Sequence, residues 1–261
     1  MQKLIDEKYY NRLAEAKKVA VLTGAGISAE SGIPTFRGEN GLWKKLSPME
    51  LASFEAFYKN TSMVNEWYKH RREIINSKEP NAGHYALVEL EKIAEDFTLI
   101  TQNIDRLHHR AGSSDVIELH GNIKENYCIR CGKDYSSEEF DEIYESTPDH
   151  IPRCWCGGLI RPNVIWYGES LPEDAIQEAY KVSIASDLFL SIGTSAEVRP
   201  ASDLPRYARS HGALLIEINP YRTSLSEISD ICLKGAAGEI LPRFVEEYSE
   251  IAENKSSILN E

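Results

Sequence analysis

The chain reads as an α/β protein, a parallel sheet covered on both faces by helices, with a smaller domain inserted into it. Three observations predict this. Short apolar runs at residues 19–23, 97–101, 116–120, 188–192 and 214–218 alternate with helical patterns, and each run stops at a Gly, Asn or Pro signal. The runs are almost continuously apolar, as strands are when helices cover both sheet faces. Two stretches break the rhythm, a helix-like segment at 47–78 and a cysteine-bearing segment at 126–159, and both read as insertions. The expected division gives 1–46, 79–125 and 160–261 to the large domain, with 47–78 and 126–159 together forming the small one.

Composition sets the limits. A chain of 261 residues with 42% hydrophobic content can bury one large core and a small second one. No run approaches the roughly 20 apolar residues that a membrane-spanning helix needs. The opening residues carry Asp6 and Glu7 where a secretory signal would be apolar, so the expected location is the cytoplasm, with no membrane partner. A net charge of −12, from 41 acids against 29 bases, argues against nucleic-acid binding, which needs cations along phosphates. Basic protein segments are better partners, although acidity that merely keeps the chain soluble reads equally well.

The first strand runs into Gly24-Ala25-Gly26-Ile27-Ser28-Ala29, which satisfies G-x-G-x-x-G/A. Glycines there permit a tight turn and close backbone approach to a pyrophosphate, so the large domain is expected to be Rossmann-like and to bind a dinucleotide. A turn that binds nothing is the alternative. About 20 residues on, a dehydrogenase places a carboxylate for the adenine ribose. Lys44-Lys45 occupy that region with no strand before them, which argues against an oxidoreductase.

The next segment, Glu30-Ser31-Gly32-Ile33-Pro34-Thr35-Phe36-Arg37-Gly38, is a polar loop able to fold over a cofactor. Two later strand ends are equally polar. Gln102-Asn103-Ile104-Asp105 can position sugar hydroxyls, and His120, before Gly121, can take a proton from one. His84, His108 and His109 lie in helical patterns and read as packing or capping residues.

In the first insertion, Tyr68 and Arg71 of Trp67-Tyr68-Lys69-His70-Arg71-Arg72 are spaced to share one helical face. A guanidinium and a phenol together suit a carboxylate, although so basic a run also reads as a solvated face. The second insertion carries Cys128-Ile129-Arg130-Cys131, 22 further residues, then Cys154-Trp155-Cys156. Four thiolates suit a closed tetrahedral zinc site. The one-residue spacer is shorter than usual and makes Cys154 and Cys156 the less secure ligands, and a redox pair at Cys128/Cys131 is the alternative. Cys232, between Ile231 and Leu233, reads as a small buried hydrophobe. Val164-Ile165-Trp166-Tyr167-Gly168-Glu169 reads as an extended run, either a core strand or a pairing edge.

Together, residues 24–28, 32–37 and 102–105, His120-Gly121, Gly193-Thr194-Ser195 and Asn219-Pro220 resemble the motifs of the sirtuin family, in that family's order, from about residue 19 to residue 242. The resemblance implies an NAD-consuming lysine deacylase with a structural Zn²⁺. Ala25, Phe36, Arg37, Thr194, Ser195 and Asn219 would line the NAD groove, completed by Gly24, Gly26, Ser28, Ile104, Gly193, Pro220 and Ala237. Gln102, Asn103 and Asp105 would surround the nicotinamide ribose, with Asn103 and Asp105 taking part in catalysis and His120 as general base. In the family's mechanism the acyl oxygen attacks the ribose as nicotinamide leaves, and the resulting alkylimidate passes its acyl group to ADP-ribose. Nicotinamide, 2'-O-acyl-ADP-ribose and free lysine result. The run Val164, Ile165, Trp166, Tyr167 would pair with the substrate peptide. Tyr68, Arg71 and Ala52 match the branch that removes succinyl, malonyl or glutaryl groups, with acetyl removal retained. A general deacetylase and a protein ADP-ribosyltransferase are the rival readings.

Overall fold

The computed structural model describes residues 3–35 and 48–258. Helix α1 (Tyr10–Glu15) leads into β1 (Lys18–Thr23), and beyond the glycine turn come α2 (Pro48–Leu51), α3 (Phe54–Lys59), α4 (Thr61–Asn76) and α5 (Ala82–Ile93). Next are β2 (Asp96–Thr101), α6 (Leu107–Ala111), β3 (Val116–Glu118), β4 (Gly121–Cys128), β5 (Asp134–Ser136), α7 (Ser137–Ser146) and β6 (Ile160–Val164). The chain closes through α8 (Glu173–Ala185), β7 (Leu188–Ile192), α9 (Leu204–Ser210), β8 (Leu214–Ile218), β9 (Ile231–Leu233) and α10 (Ala237–Ile258). No helix among the described residues is long and apolar enough to cross a membrane.

Six strands form one sheet in the order β3-β2-β1-β7-β8-β9, with every adjacent pair parallel. Alternate side chains of β1, β2, β7 and β8 enter different cores. Val19, Val21, Leu99, Leu190 and Ile216 pack against Leu87 and Leu90 of α5 and Leu241 and Phe244 of α10. Ala20, Leu22, Ile100, Phe189 and Leu215 pack against Ala179 of α8 and Leu204 and Ala208 of α9. Burial on both faces removes the need for polar alternation, and the strand runs are almost continuously apolar for that reason.

The second sheet is antiparallel, in the order β5-β4-β6. It takes in residues 121–125 and 160–164, which the expected division assigns to the large domain, because β4 and β6 pair across the cysteine segment. A separate core joins it to the helical insertion at the carboxyl edge of the large sheet, with Phe57, Val64, Tyr68, Ile104, Ile123, Val164 and Trp166 at its centre. Local chemistry sets the helix starts. Ser53 caps α3 through Ala56 N–H and Asn60 caps α4 through Met63 N–H, while Asn81 and His84 form a reciprocal box at the start of α5.

Two local expectations change. Residues 116–120 do not stay extended, since β3 ends at Glu118 and His120 lies in the turn beyond it. Cys232 is exposed, because β9 is an edge strand whose Ile231 and Leu233 face the core while the residue between them points outward.

Candidate active site

Strand β1 lies between β2 and β7, where the strand order turns back, so the carboxyl ends of β1 and β7 open a crevice at the switch point of the sheet. The glycine turn fills its floor. Gly24 N–H donates to Ile192 O at 3.0 Å and Gly26 N–H to Gly193 O at 2.8 Å. A Cβ on Gly26 would stand 2.6 Å from the Gly193 backbone, and Gly193, at φ +60, would drive its own Cβ to 2.6 Å from Ile27 N. Only paired glycines allow these backbones so close, and the closeness leaves the turn accessible from above. On the β7 side, the Thr194 hydroxyl accepts from Gln102 Nε2 at 3.2 Å, and Asn219 Nδ2 donates to Thr194 O at 2.8 Å. Ser195 is half-buried and Pro220 exposed on this rim, whereas Ala237 is buried at the head of α10. Phe36 and Arg37 lie outside the described residues.

On the β2 side the polar strand end folds inward. Asn103 Nδ2 donates to Gly24 O at 3.2 Å and Ser28 Oγ at 3.3 Å. Ser28 Oγ donates to Asp105 Oδ2 at 2.8 Å, and Leu107 N–H donates to Asp105 Oδ1 at 2.9 Å. Burial raises the Asp105 pKa, against the hydrogen bonds from Leu107 and Ser28 and the nearby Arg71 charge. Asn103, Ser28 and Asp105, with Ala25, Ile104 and Arg71, line an open cleft.

His120 stands at the end of β3. Its Nδ1 lies 3.0 Å from Gln102 O, and a ring nitrogen facing a carbonyl carries the proton, so Nε2 keeps its lone pair. Burial holds the imidazole pKa below its ordinary 6.5, with the Gln102 carbonyl pulling the other way. The ring is a neutral base at pH 7. His120 O also accepts Ile165 N–H at 3.0 Å, tying the base to the segment after β6.

Tyr68 and Arg71 are both buried, at 3% and 6% exposure, which removes the solvated-face alternative. Their basic neighbours differ. His70 is exposed, while Arg72 pairs with Asp141 and Lys69 with Glu145 at 3.1 Å, both acids on α7. Tyr68 Oη accepts from Trp166 Nε1 at 2.9 Å. Ala52, also buried, gives its carbonyl to Tyr167 N–H at 2.9 Å.

In the run 164–169 only Val164 belongs to a strand, the end of β6, and the chain turns at Tyr167 and Gly168. Three successive N–H groups are already used, that of Ile165 by His120 O and that of Tyr167 by Ala52 O, and that of Trp166 by Glu169 Oε2. None of these three N–H groups is open to pair with a peptide. Val164 is buried and Tyr167 exposed. The sequence reading missed what anchors the run. Arg161, fully buried, makes a two-pronged pair with Glu169 at 2.7 and 2.9 Å. The available signal was a charge inside the apolar strand at Ile160-Arg161, since a buried charge requires a partner.

The sulfurs of Cys128, Cys131, Cys154 and Cys156 all lie within 4.8 Å of one another. The closest approaches cross between the pairs, Cys128 to Cys156 at 3.5 Å and Cys131 to Cys154 at 3.6 Å. Four sulfurs bound at about 2.3 Å around a tetrahedral ion stand roughly 3.8 Å apart, so the cluster fits zinc. The crossing also disfavours a separate redox pair at Cys128/Cys131. The one-residue spacer works because Gly157, at φ +79, turns the chain back, with Gly157 N–H on Cys154 O and Cys154 N–H on Gly158 O, each at 2.8 Å.

A glycine turn at the switch point with a neutral imidazole beside it defines the class, an α/β enzyme that uses a dinucleotide. The comparisons carry this further. The Sir2 family model matches residues 24–200. The NAD-dependent protein deacylase 2 of Pyrobaculum aerophilum is 48% identical over 236 residues, covering 90% of this chain and 92% of that protein. The NAD-dependent protein deacylase of Aquifex aeolicus is 49% identical over 227 residues, covering 85% and 92%. Among solved structures, a Sir2 homologue–NAD complex superposes with a TM-score of 0.86 at 42% identity, covering 96% of each chain. A Sir2 complex with a deacetylated p53 peptide and 3'-O-acetyl-ADP-ribose gives a TM-score of 0.85 at 38% identity, covering 95% of this chain and 99% of that one. The chain belongs to the Sir2 family.

Proposed function

We propose that the chain removes acyl groups from lysine side chains of proteins, consuming NAD, and prefers acyl groups that end in a carboxylate. Its partners are acyl-lysine segments. NAD would serve as co-substrate: the acyl oxygen bonds to the ribose carbon as nicotinamide leaves it, and the acyl group ends on the ribose 2'-oxygen, releasing free lysine.

The residues take these roles. Gly24, Ala25 and Gly26 seat the pyrophosphate, while Thr194, Ser195, Asn219 and Pro220 line the adenosine side. Asn103 and Asp105, held by Ser28 and the Leu107 amide, present polar atoms to the nicotinamide ribose. His120 Nε2 takes the proton from a ribose hydroxyl. Its Nδ1–H, bound to Gln102 O, keeps the ring from turning as charge develops on it. Cys128, Cys131, Cys154 and Cys156 would hold Zn²⁺, whose part is to fasten the small sheet.

The carboxylate preference rests on one observation. The Arg71 guanidinium is buried and lines the same cleft as Asn103 and Asp105, with the Tyr68 phenol beside it on the same helical face. A buried cation favours an anionic acyl end, and charge-assisted hydrogen bonds to it contribute about 1.5–3 kcal/mol.

The test pairs acetyl-lysine and succinyl-lysine peptides with NAD, following nicotinamide release and peptide mass for wild type and Arg71→Met. The expected result is a succinyl preference that Arg71→Met reverses, with KM for the succinyl peptide rising roughly 10- to 100-fold. Acetyl preference whatever stands at 71 identifies a general deacetylase instead. Nicotinamide release with no loss of acyl mass identifies ADP-ribosyl transfer.

A further inference from the structure

The Tyr68 hydroxyl has a partner that the mechanism above does not use. Trp166 is 2% exposed, and its indole N–H donates to Tyr68 Oη at 2.9 Å. The indole is held from several sides. The Arg161 guanidinium lies 3.3 Å above its ring centroid, the Phe57 ring is 5.2 Å away and the Phe54 ring meets it edge-on at 5.5 Å. Its backbone N–H is bound to Glu169 Oε2 at 2.5 Å, the same carboxylate that grips Arg161. Rotation of the indole would break its ring contacts with Arg161, Phe57 and Phe54.

A phenol oxygen carries one hydrogen and two lone pairs, and the hydrogen lies near the ring plane on one side or the other. A fixed indole N–H occupies one side, where a phenol hydrogen would meet another hydrogen head-on. The hydroxyl proton is driven to the opposite side. Burial also pushes the Tyr68 pKa up, so the group is a neutral donor across the working pH range.

We propose that Trp166 is a specificity-determining positioning residue, whose indole N–H orients the Tyr68 hydroxyl to donate to the carboxylate of an acidic acyl group. The inference rests on the carboxylate reading of Tyr68 and Arg71. A donor oriented before the substrate arrives loses no rotational freedom on binding, so the device lowers KM for acidic acyl groups selectively. An acetyl group has no atom to receive that hydrogen bond.

The test measures KM and kcat for succinyl-lysine and acetyl-lysine peptides in wild type, Trp166→Phe, Tyr68→Phe and the double variant, with thermal melting of each. Trp166→Phe is expected to raise the ratio of succinyl KM to acetyl KM about 5-fold, the scale of one hydrogen bond. The double variant is expected to match Tyr68→Phe, because the indole acts through the hydroxyl. If Trp166→Phe does not fold, benzothienylalanine at 166 keeps the shape and removes only the N–H, and the same ratio is read. An unchanged ratio, or effects of the two single variants that multiply in the double, overturns the proposal while Arg71→Met still abolishes the preference. A wild type with no succinyl preference overturns the underlying reading and this proposal together.

Discussion

The base role proposed for His120 depends on what its other nitrogen does. With Nδ1–H on Gln102 O, Nε2 keeps its lone pair. Burial lowers the imidazole pKa from 6.5, so the ring stays neutral further into acid than a free histidine. In the proposed role the neutral ring is the active form, and activity is expected to fall as pH drops through that lowered value. The acidic limb of kcat/KM, measured from about pH 5 to 8, should therefore have its midpoint below 6.5. A midpoint at or above that value would mean the imidazolium is stabilised in the site. His120→Ala should lower kcat by about 10²- to 10⁴-fold, the usual contribution of a positioned base. The candidacy of this residue was readable from a polar strand end, whereas its tautomer came from a carbonyl 18 positions earlier in the chain. Trp166 shows the opposite limit. Its place in the run was visible, but periodicity says nothing of a partner on α4.

At the scale of elements, the glycine turn and β7 form one unit. Gly26→Ala would set a methyl 2.6 Å from Gly193 backbone atoms, and backbone cannot rotate away as a side chain can. The expected cost is about 1–3 kcal/mol of stability from overpacking, with weakened NAD binding as the crevice is forced apart. Urea unfolding and an NAD titration check both, and an alanine variant with wild-type midpoint and affinity would show that the turn can yield. The long strands were readable because double-faced burial leaves continuous apolar runs. The three-residue strands β5 and β9 were not, since so few residues show no period. Cys232 was misread for that reason. The turn at Tyr167 and Gly168 escaped as well, since the pull that bends the chain there comes from Glu169 binding back to Arg161 and Trp166 N–H.

Across the whole molecule, the cysteine end of the small sheet packs on few side chains, chiefly Tyr135, Phe140, Tyr144 and Ile160 around Cys128 and Cys154. So little apolar surface is a weak hold on that end, and a metal on the four cysteines would make up the difference. Zinc removal by a chelator, or Cys156→Ser, should strip hydrogen-exchange protection from 121–164 while the six-stranded sheet keeps its own. Activity should fall with it, because β4 leaves directly from His120 and Ile165 N–H holds the His120 carbonyl. Equal loss of protection in both sheets would mean that they unfold as one. The sequence by itself determined the alternation of strands and helices, the glycine turn, the polar strand ends and the four cysteines, because each of these is a local pattern of residue type and spacing. Only the tertiary structure decided that Arg71 faces the cleft of Asp105, that Lys69 and Arg72 instead reach acids on α7, and that Trp166 holds the Tyr68 hydroxyl. These contacts join residues far apart in the chain, and packing of the helical insertion against the small sheet brings them within reach.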